Sequence, residues 1–161
     1  FRVVIVGAGP TGLAIAHCLS AAGKELVVLE RRGSIVQETG ASLGLWPQSV
    51  RLLHQLQLLD AARHISEPLK LSYHFDQDGK EISKMIEKRH GYPFMLFERM
   101  RFVEMLYENL PGQSRVKTCK YVVGVEQNKE GVKVQLDDGT CKRGDIVIGA
   151  DSVHSFVRGQ M

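Results

Sequence analysis

Three glycines, Gly7, Gly9 and Gly12, are spaced so that the backbone around them could bind a phosphate group. They match the G-x-G-x-x-G pattern in the context that this pattern requires. The apolar run Arg2 to Val6 predicts a buried parallel strand before them, and Thr11 to Ala22 has the pattern of a helix. The first glycine then permits a tight turn, the second lets amides approach a diphosphate, and the third lets helix and strand pack closely. We predict a dinucleotide site; a glycine-rich turn without a ligand is the alternative.

A carboxylate follows at the distance that such a site needs. Glu30 comes directly after a second apolar strand, Glu25 to Leu29, and lies 18 residues beyond Gly12. An acid at about this spacing hydrogen-bonds the ribose of the adenosine. Because an ionised carboxylate is a poor partner for a 2′-phosphate, FAD or NAD is expected in preference to NADP. A solvated strand end is the alternative for Glu30, and both NAD-dependent dehydrogenases and flavoproteins contain such a βαβ unit.

The remaining elements must hold this unit in place. Between residues 47 and 110 the patterns predict two helices and three strands. The helices are Pro47 to Arg63 and Arg99 to Leu110, the hairpin strands are Leu71 to Phe75 and Glu81 to Ile86, and Tyr92 to Phe97 is expected to add a third strand. Asp78-Gly79 is a strong turn signal between the hairpin strands.

The last third of the chain predicts two kinds of strand. Apolar and polar residues alternate from Arg115 to Leu136 and a turn signal follows at Asp138-Gly139, which predicts an antiparallel meander. The fully apolar run Asp145 to Gly149 predicts a buried parallel strand that rejoins the sheet begun by Arg2 to Val6.

The composition of the chain argues against binding of nucleic acid, membrane spanning and metal binding. The 161 residues suffice for one sizeable core, and 43% hydrophobic and 24% charged residues are ordinary for a globular protein. A net charge of +3 from scattered Lys and Arg residues gives no support for nucleic acid. No apolar run is long enough for a bilayer, and no Cys or His spacing predicts a metal site. Three unpaired cysteines, Cys18, Cys119 and Cys141, indicate reduced thiols and a cytoplasmic location.

Four ordered segments resemble one family. They are the βαβ unit, the loop Gly40 to Pro47, the stretch Phe97 to Leu106 and the ending Gly149 to Arg158. Together they resemble FAD-dependent monooxygenases related to para-hydroxybenzoate and salicylate hydroxylases. The sequences of Gly91 to Arg99 and of Leu106 to Leu110 are most similar to the fungal branch that epoxidises prenylated indole-diterpene and meroterpenoid precursors in secondary metabolism.

The resemblance implies an α/β fold: a Rossmann-like FAD-binding βαβ domain with an antiparallel β-meander and the start of a substrate-domain β-sheet. It implies an incomplete FAD-binding domain at residues 1–68 and 97–161. Residues 69–96 are then inserted strands of the substrate-facing sheet. We expect the chain to be the N-terminal part of a longer enzyme, which alone binds FAD weakly or not at all and does not turn over.

The resemblance also assigns residues. Gly7, Gly9, Gly12 and Glu30 would bind the adenosine and diphosphate, Gly44 would lie in the loop on the flavin side, and Arg99 would reach the FAD from the start of its helix. Arg101 is the competing assignment for Arg99, and a surface arginine is the structural alternative. Asp151 resembles the acid of an Asp-Gly motif, associated with the FAD diphosphate and with NADPH use. Capping a turn is its structural alternative, and Arg158 closes the same motif.

One position departs from the family pattern. Ser152 follows Asp151 where the family has glycine. If that position needs a positive φ or a close backbone approach, serine there is expected to strain the motif or to weaken nicotinamide-cofactor use.

The implied activity is insertion of one oxygen atom from O2, as hydroxylation or epoxidation, into a small organic substrate, with FAD as cofactor and NAD(P)H as transient reductant. A prenylated aromatic or terpenoid substrate fits the fungal branch, and no catalytic side chain is identified in this stretch. The oligomeric state and a membrane anchor in a missing C-terminal part stay open. Two other classes also stay open: a non-catalytic truncated FAD-binding fragment and an NAD-dependent dehydrogenase. A dehydrogenase would lack the series formed by the loop Gly40 to Pro47, Arg99 and Asp151.

Overall fold

The computed structural model describes residues 1–37, 41–68, 71–86, 88–89 and 91–160. The strands are β1 (Arg2–Val6), β2 (Glu25–Leu29), β3 (Ser42–Leu45), β4 (Ser66–Pro68), β5 (Leu71–Phe75), β6 (Glu81–Ile86), β7 (Lys88–Arg89), β8 (Tyr92–Pro93), β9 (Met95–Glu98), β10 (Val116–Lys117), β11 (Val122–Asn128), β12 (Gly131–Leu136), β13 (Cys141–Gly144) and β14 (Ile146–Gly149). The helices are α1 (Pro10–Ala21), α2 (Pro47–Gln55), α3 (Leu59–His64), α4 (Arg99–Glu108) and α5 (Phe156–Gly159), and a short 3-10 helix spans Gln113–Arg115.

The chain divides into two compact units. The first comprises Phe1–Gln37 and Val103–Met161, and the second comprises Glu38–Phe102. These bounds describe this chain, whereas the assignment of residues 1–68, 69–96 and 97–161 concerns the complete enzyme and stays a prediction.

The first unit is built on a parallel sheet of order β10-β2-β1-β14. Strands β1 and β2 are buried after their first residue, as expected for a parallel sheet that is covered on both faces. The predicted return of the chain to this sheet is confirmed, since β14 pairs with β1 from Ile146 to Gly149. Helix α1 ends as the sequence predicts, at a left-handed Gly23 with φ of 66°.

An antiparallel sheet of order β11-β12-β13 completes this unit. One face of the parallel sheet packs with it in a common core, formed by Val4, Val6, Val27, Leu29, Val122, Val134, Leu136 and Val157. The predicted meander is confirmed for β11 to β13. The prediction is wrong for its first residues, because β10 pairs in parallel with β2, Val116 opposite Val28.

The second unit contains a sheet of order β3-β9-β4, the hairpin β5-β6 and the pair β7-β8. The hairpin turn is confirmed: Gly79 has φ of 77° and its N–H donates to the Asp76 carbonyl at 3.1 Å. Two expectations are corrected. The segment expected to add a third strand to the hairpin is divided: β8 pairs with β7, and β9 pairs with β3 and β4.

The other correction concerns the helix expected from Pro47 to Arg63. It is interrupted at Gln57, which has φ of 60°. The N–H groups of Gln57 and Leu58 donate to the carbonyls of His54 and Leu53, which closes α2 in the manner of a Schellman motif. Apolar spacing continues across this break, so periodicity alone does not reveal it.

Candidate functional site

The glycine turn joins β1 to α1, and two of its glycines have no room for a side chain. Gly7 has φ of 102°, and a Cβ atom placed on it would lie 2.5 Å from the carbonyl oxygen of Ala150. A Cβ atom on Gly12 would overlap the carbonyl oxygen of Gly7. The turn therefore requires glycine at both positions because of backbone contacts, one of them with a segment 143 residues away in sequence.

The N-terminus of α1 fits an anion. Gly9 is the N-cap residue and Pro10 is the first helical residue, and no side chain caps this end. The first turn contains no acidic residue. Leu13 donates the first intrahelical bond, to the Gly9 carbonyl at 3.0 Å. The amides of Thr11 and Gly12 thus belong to the set that a helix leaves without intrahelical partners, and these are the groups that bind a diphosphate.

Glu30 directly contacts this turn. Its Oε2 atom accepts a hydrogen bond from the N–H of Ala8 at 2.8 Å, and its Oε1 atom accepts one from the N–H of Arg32 at 3.0 Å. Each carboxylate oxygen can accept a further bond, so a ribose hydroxyl is compatible with this arrangement. The bond to Ala8 was not found by sequence reasoning, because no spacing rule indicates which turn amide a distant carboxylate will reach.

Asp151 accepts hydrogen bonds at the N-terminus of α5, whose N-cap residue is Ser155. Its carboxylate accepts hydrogen bonds from the Ser155 hydroxyl at 2.6 Å and from the N–H groups of Phe156 and Val157 at 2.6 and 3.2 Å. Burial works to raise the pKa of Asp151, but the hydrogen bonds from Ser155, Val157 and Phe156 outweigh it and hold the pKa below its ordinary value. The carboxylate is ionised at neutral pH, and its bonds in the structure are those of a capping residue.

The backbone conformation of Ser152 tests whether this position, where the family has glycine, needs a positive φ. Its φ is 78°, so the position does need the left-handed backbone that glycine adopts most easily. The Ser152 hydroxyl accepts the N–H of Val153 at 2.6 Å. Arg158 donates to the Val153 carbonyl at 2.5 Å, which gives this arginine a structural contact within the same loop.

Gly44 lies in the second unit, on β3 opposite Leu96 of β9. A Cβ atom on Gly44 would lie 2.5 Å from Cζ of the Phe94 ring. Trp46 packs edge-on against Phe94, with ring centroids 5.1 Å apart at 78°, and remains 47% exposed. Here the obstacle to a Cβ atom is an aromatic side chain. Gly40, the first residue of the predicted loop, lies outside the described residues.

Arg99 begins α4, and its N–H donates to the Ala41 carbonyl at 2.9 Å. Gly44 and Arg99 therefore belong to one local arrangement, at the β3-β9 ladder. Arg101, the competing candidate, is exposed and forms an ion pair with Glu98 at 3.1 Å. The predicted helical spacing is confirmed, since Phe102, Leu106 and Leu110 are all buried.

The contacts of His17, His54 and the three cysteines are not those of a metal site. His17 is buried, and its Nε2 atom donates to the Leu106 carbonyl at 2.7 Å. His54 and Tyr92 are hydrogen-bonded at 2.7 Å on the wall of an open cavity of about 630 Å³, which Asp60 and Arg63 also line. The three cysteines are free and exposed. Among the described residues, no three His, Cys, Asp or Glu side chains are grouped to hold a metal ion.

The described part of the chain contains no helix with the length and apolar character needed to cross a membrane.

Comparison with known proteins connects this geometry to one family. The family model for the FAD binding domain matches residues 1–161. The FAD-dependent monooxygenase andE of Emericella variicolor is 41% identical over 164 residues, which is 99% of this chain and 35% of the relative. The FAD-dependent monooxygenase cdmI of Talaromyces verruculosus is also 41% identical, over all of this chain and 34% of the relative. The chain thus spans about a third of the length of these relatives.

Two solved structures have a fold similar to that of this chain. HpxO of Klebsiella pneumoniae, complexed with FAD and uric acid, superposes with a TM-score of 0.84 at 26% identity, covering 98% of this chain and 41% of that protein. The 2,6-dihydroxypyridine-3-hydroxylase of Arthrobacter nicotinovorans superposes with a TM-score of 0.77 at 28% identity, covering 98% and 38%. The expected fold class is confirmed by these matches.

Proposed function

Because this chain belongs to the FAD-binding domain family, we propose that it is the FAD-binding part of a flavin-dependent monooxygenase. The observation that carries the proposal is the meeting of the glycine turn, Glu30 and the Ala150-Asp151 segment in the first unit. Ala8 of the turn is bonded to Glu30, and Gly7 lies against Ala150. Family membership and this arrangement favour FAD over the alternative of an NAD-dependent dehydrogenase.

Each candidate residue has a proposed part in holding FAD. Gly7, Gly9 and Gly12 shape the turn whose amides bind the diphosphate, with the positive end of the α1 dipole behind it. Glu30 binds the adenosine ribose while keeping its bond to Ala8. Asp151 holds the neighbouring loop beside the turn. In the second unit we propose Gly44 for the loop on the flavin side and Arg99 for FAD phosphate or ribityl oxygens, to which guanidinium offers a planar fork of donors.

The proposed activity of the complete protein is insertion of one oxygen atom from O2 into a small organic substrate. Bound flavin supplies the redox chemistry, with NAD(P)H as the transient reductant. The residues of this chain bind and orient the cofactor, and we assign no proton transfer to any of them. The relatives andE and cdmI are FAD-dependent monooxygenases. The resemblance of Gly91 to Arg99 to the fungal epoxidase branch makes prenylated aromatic and terpenoid compounds the first substrates to test for hydroxylation or epoxidation.

A cytoplasmic location belongs to the same proposal. Its support is the state of the cysteines, since Cys18, Cys119 and Cys141 are free thiols at the surface and such thiols persist in reducing compartments.

Titration of this chain with FAD tests the proposal. Fluorescence of Trp46, the single tryptophan, reports binding, and the flavin absorbance retained after removal of free cofactor gives the stoichiometry. We expect weak, saturable binding that NADH does not displace. Glu30→Ala should raise the dissociation constant about tenfold, because a hydrogen bond to a charged group is lost. Glu25→Ala, at the exposed start of β2, the strand that ends directly before Glu30, is the matched control and should bind FAD as the unaltered chain does.

Preferential binding of NADH would contradict the proposal and favour a dehydrogenase. A folded chain that retains no flavin would limit FAD binding to the longer protein, in which the same Glu30→Ala and Glu25→Ala pair then decides.

A further inference from the structure

Three described residues other than glycine have a left-handed backbone: Gln57, Cys119 and Ser152, with φ of 60°, 52° and 78°. Such a conformation is unfavourable for residues with a Cβ atom and persists where the surroundings enforce it. At Ser152 the side chain itself takes part, since its hydroxyl accepts the N–H of the next residue, Val153, at 2.6 Å. The serine thus stabilises locally the conformation that its own Cβ atom disfavours.

Ser152 lies between two segments of the first unit that are each held by other contacts. The two residues before it lie on the glycine turn: Ala150 donates to the Val6 carbonyl at 2.8 Å, and a Cβ atom on Gly7 would lie 3.1 Å from the Asp151 N atom. The residues after it are held by the Asp151 carboxylate, which bonds Ser155 and Phe156. Ser152 is therefore the link between a segment in contact with the turn and a segment held by the cap of α5.

We propose that Ser152 is a positioning residue of the cofactor turn, whose hydroxyl holds Val153 and thereby keeps Ala150 and Asp151 against Gly7. The link to cofactor affinity rests on the proposed function, in which this turn binds the FAD diphosphate. The hydroxyl does by hydrogen bonding what glycine would do by lacking a Cβ atom. Ser152 needs no contact with FAD for this role, because it acts through the backbone of the two preceding residues.

Two substitutions distinguish the effect of the Ser152 hydroxyl from the effect of the backbone conformation at this position. Ser152→Ala keeps the Cβ atom and removes the acceptor of the Val153 N–H, so the left-handed link loses its support. Ser152→Gly also removes the hydroxyl, but it removes the Cβ atom as well and adopts a positive φ readily. The alanine variant should therefore release the loop from the turn, and the glycine variant should restore it. Gln57→Ala is the matched control, because it changes a left-handed residue in the second unit.

Amide hydrogen exchange of this chain without cofactor tests the positioning role directly. In Ser152→Ala we expect exchange of the Val153 amide to accelerate about tenfold, the effect of losing one hydrogen bond. The amide of Ala8, bonded to Glu30 on the turn, should also exchange faster, and its protection should return in Ser152→Gly. If the bond acts only locally, Ser152→Ala will accelerate exchange of the Val153 amide and leave exchange of the Ala8 amide unchanged. That result would overturn the proposal.

FAD titration of the same variants tests the consequence for binding. Ser152→Ala should raise the dissociation constant between about twofold and tenfold, while Ser152→Gly and Gln57→Ala stay within about twofold of the unaltered chain. Equal weakening in Gln57→Ala would overturn the proposal, because general loss of stability would then explain the effect. If the unaltered chain binds no FAD, the same variants are titrated in the longer protein, whereas exchange at Ala8 in this chain still decides the role of Ser152.

Discussion

Each of the two units has a glycine at a crowded position, but the atoms that would obstruct a side chain there differ. At Gly7 the obstacle to a side chain is the backbone of Ala150, which β14 fixes beside β1. At Gly44 the obstacle is the ring of Phe94, a side chain in edge-on contact with an exposed tryptophan. Backbone held in a sheet cannot move aside without breaking strand pairing, whereas a ring can rotate or be replaced. Gly7 should therefore be intolerant of any side chain, whereas Gly44 should tolerate a small one.

The largest expected effect is that of Gly7→Ala. The new Cβ atom combines an unfavourable φ of 102° with a position 2.5 Å from the Ala150 oxygen, and we expect a loss of about 2 to 4 kcal/mol in the free energy of unfolding, with loss of FAD binding. Gly23→Ala is the control: it has φ of 66° and open space around the new atom, so about 1 kcal/mol is expected. Denaturant unfolding measures both, and similar losses in the two variants would refute a steric role for Ala150.

Asp151→Asn should have an intermediate effect and a pH signature. Loss of the charge from a carboxylate that accepts three hydrogen bonds should lower the free energy of unfolding at pH 7 by about 1.5 kcal/mol. The pKa of the Asp151 carboxyl is lowered in the folded chain, so its contribution is fully present above the ordinary aspartate pKa and is lost as the pH falls through the lowered one. Unfolding followed from pH 7 into the acid range should show the two proteins converge. A difference that is independent of pH would show that the cap does not depend on ionisation.

Gly44→Ala should have the smallest effect, about 1 kcal/mol, because only the Phe94 ring has to shift. The double variant Gly44→Ala/Phe94→Leu sharpens the comparison, since a smaller side chain at 94 should recover part of the loss of Gly44→Ala. A double-mutant cycle of unfolding free energies measures this coupling. Additive losses would mean that the Phe94 ring is not the obstacle to a side chain at Gly44, and the contrast between the two units would lose its basis.

Local sequence patterns were sufficient for most elements and for the residues of the turn itself. Gly7, Gly9 and Gly12 were identified because a strand that ends in glycines before a helix has few other interpretations. The parallel return of β14 and the two hairpin turns were predicted from fully apolar runs and Asp-Gly pairs. These signals depend on residues within a few positions of one another, which is the range over which backbone preference acts.

Tertiary structure decided the rest. The contacts of Ala150 with Gly7 and of Glu30 with Ala8, the pairing of β10 with β2, and the interruption of the second helix at Gln57 have no local signal. Each depends on which backbone group finds a partner across the fold, and many partners are compatible with one hydrophobic pattern. By itself the sequence determined where the glycine turn between β1 and α1 would occur and that position 152 departs from glycine. Only the packed structure showed that Ser152 has a left-handed backbone, because no local pattern indicates the φ of a residue that lies between the segment against Gly7 and the N-terminus of α5.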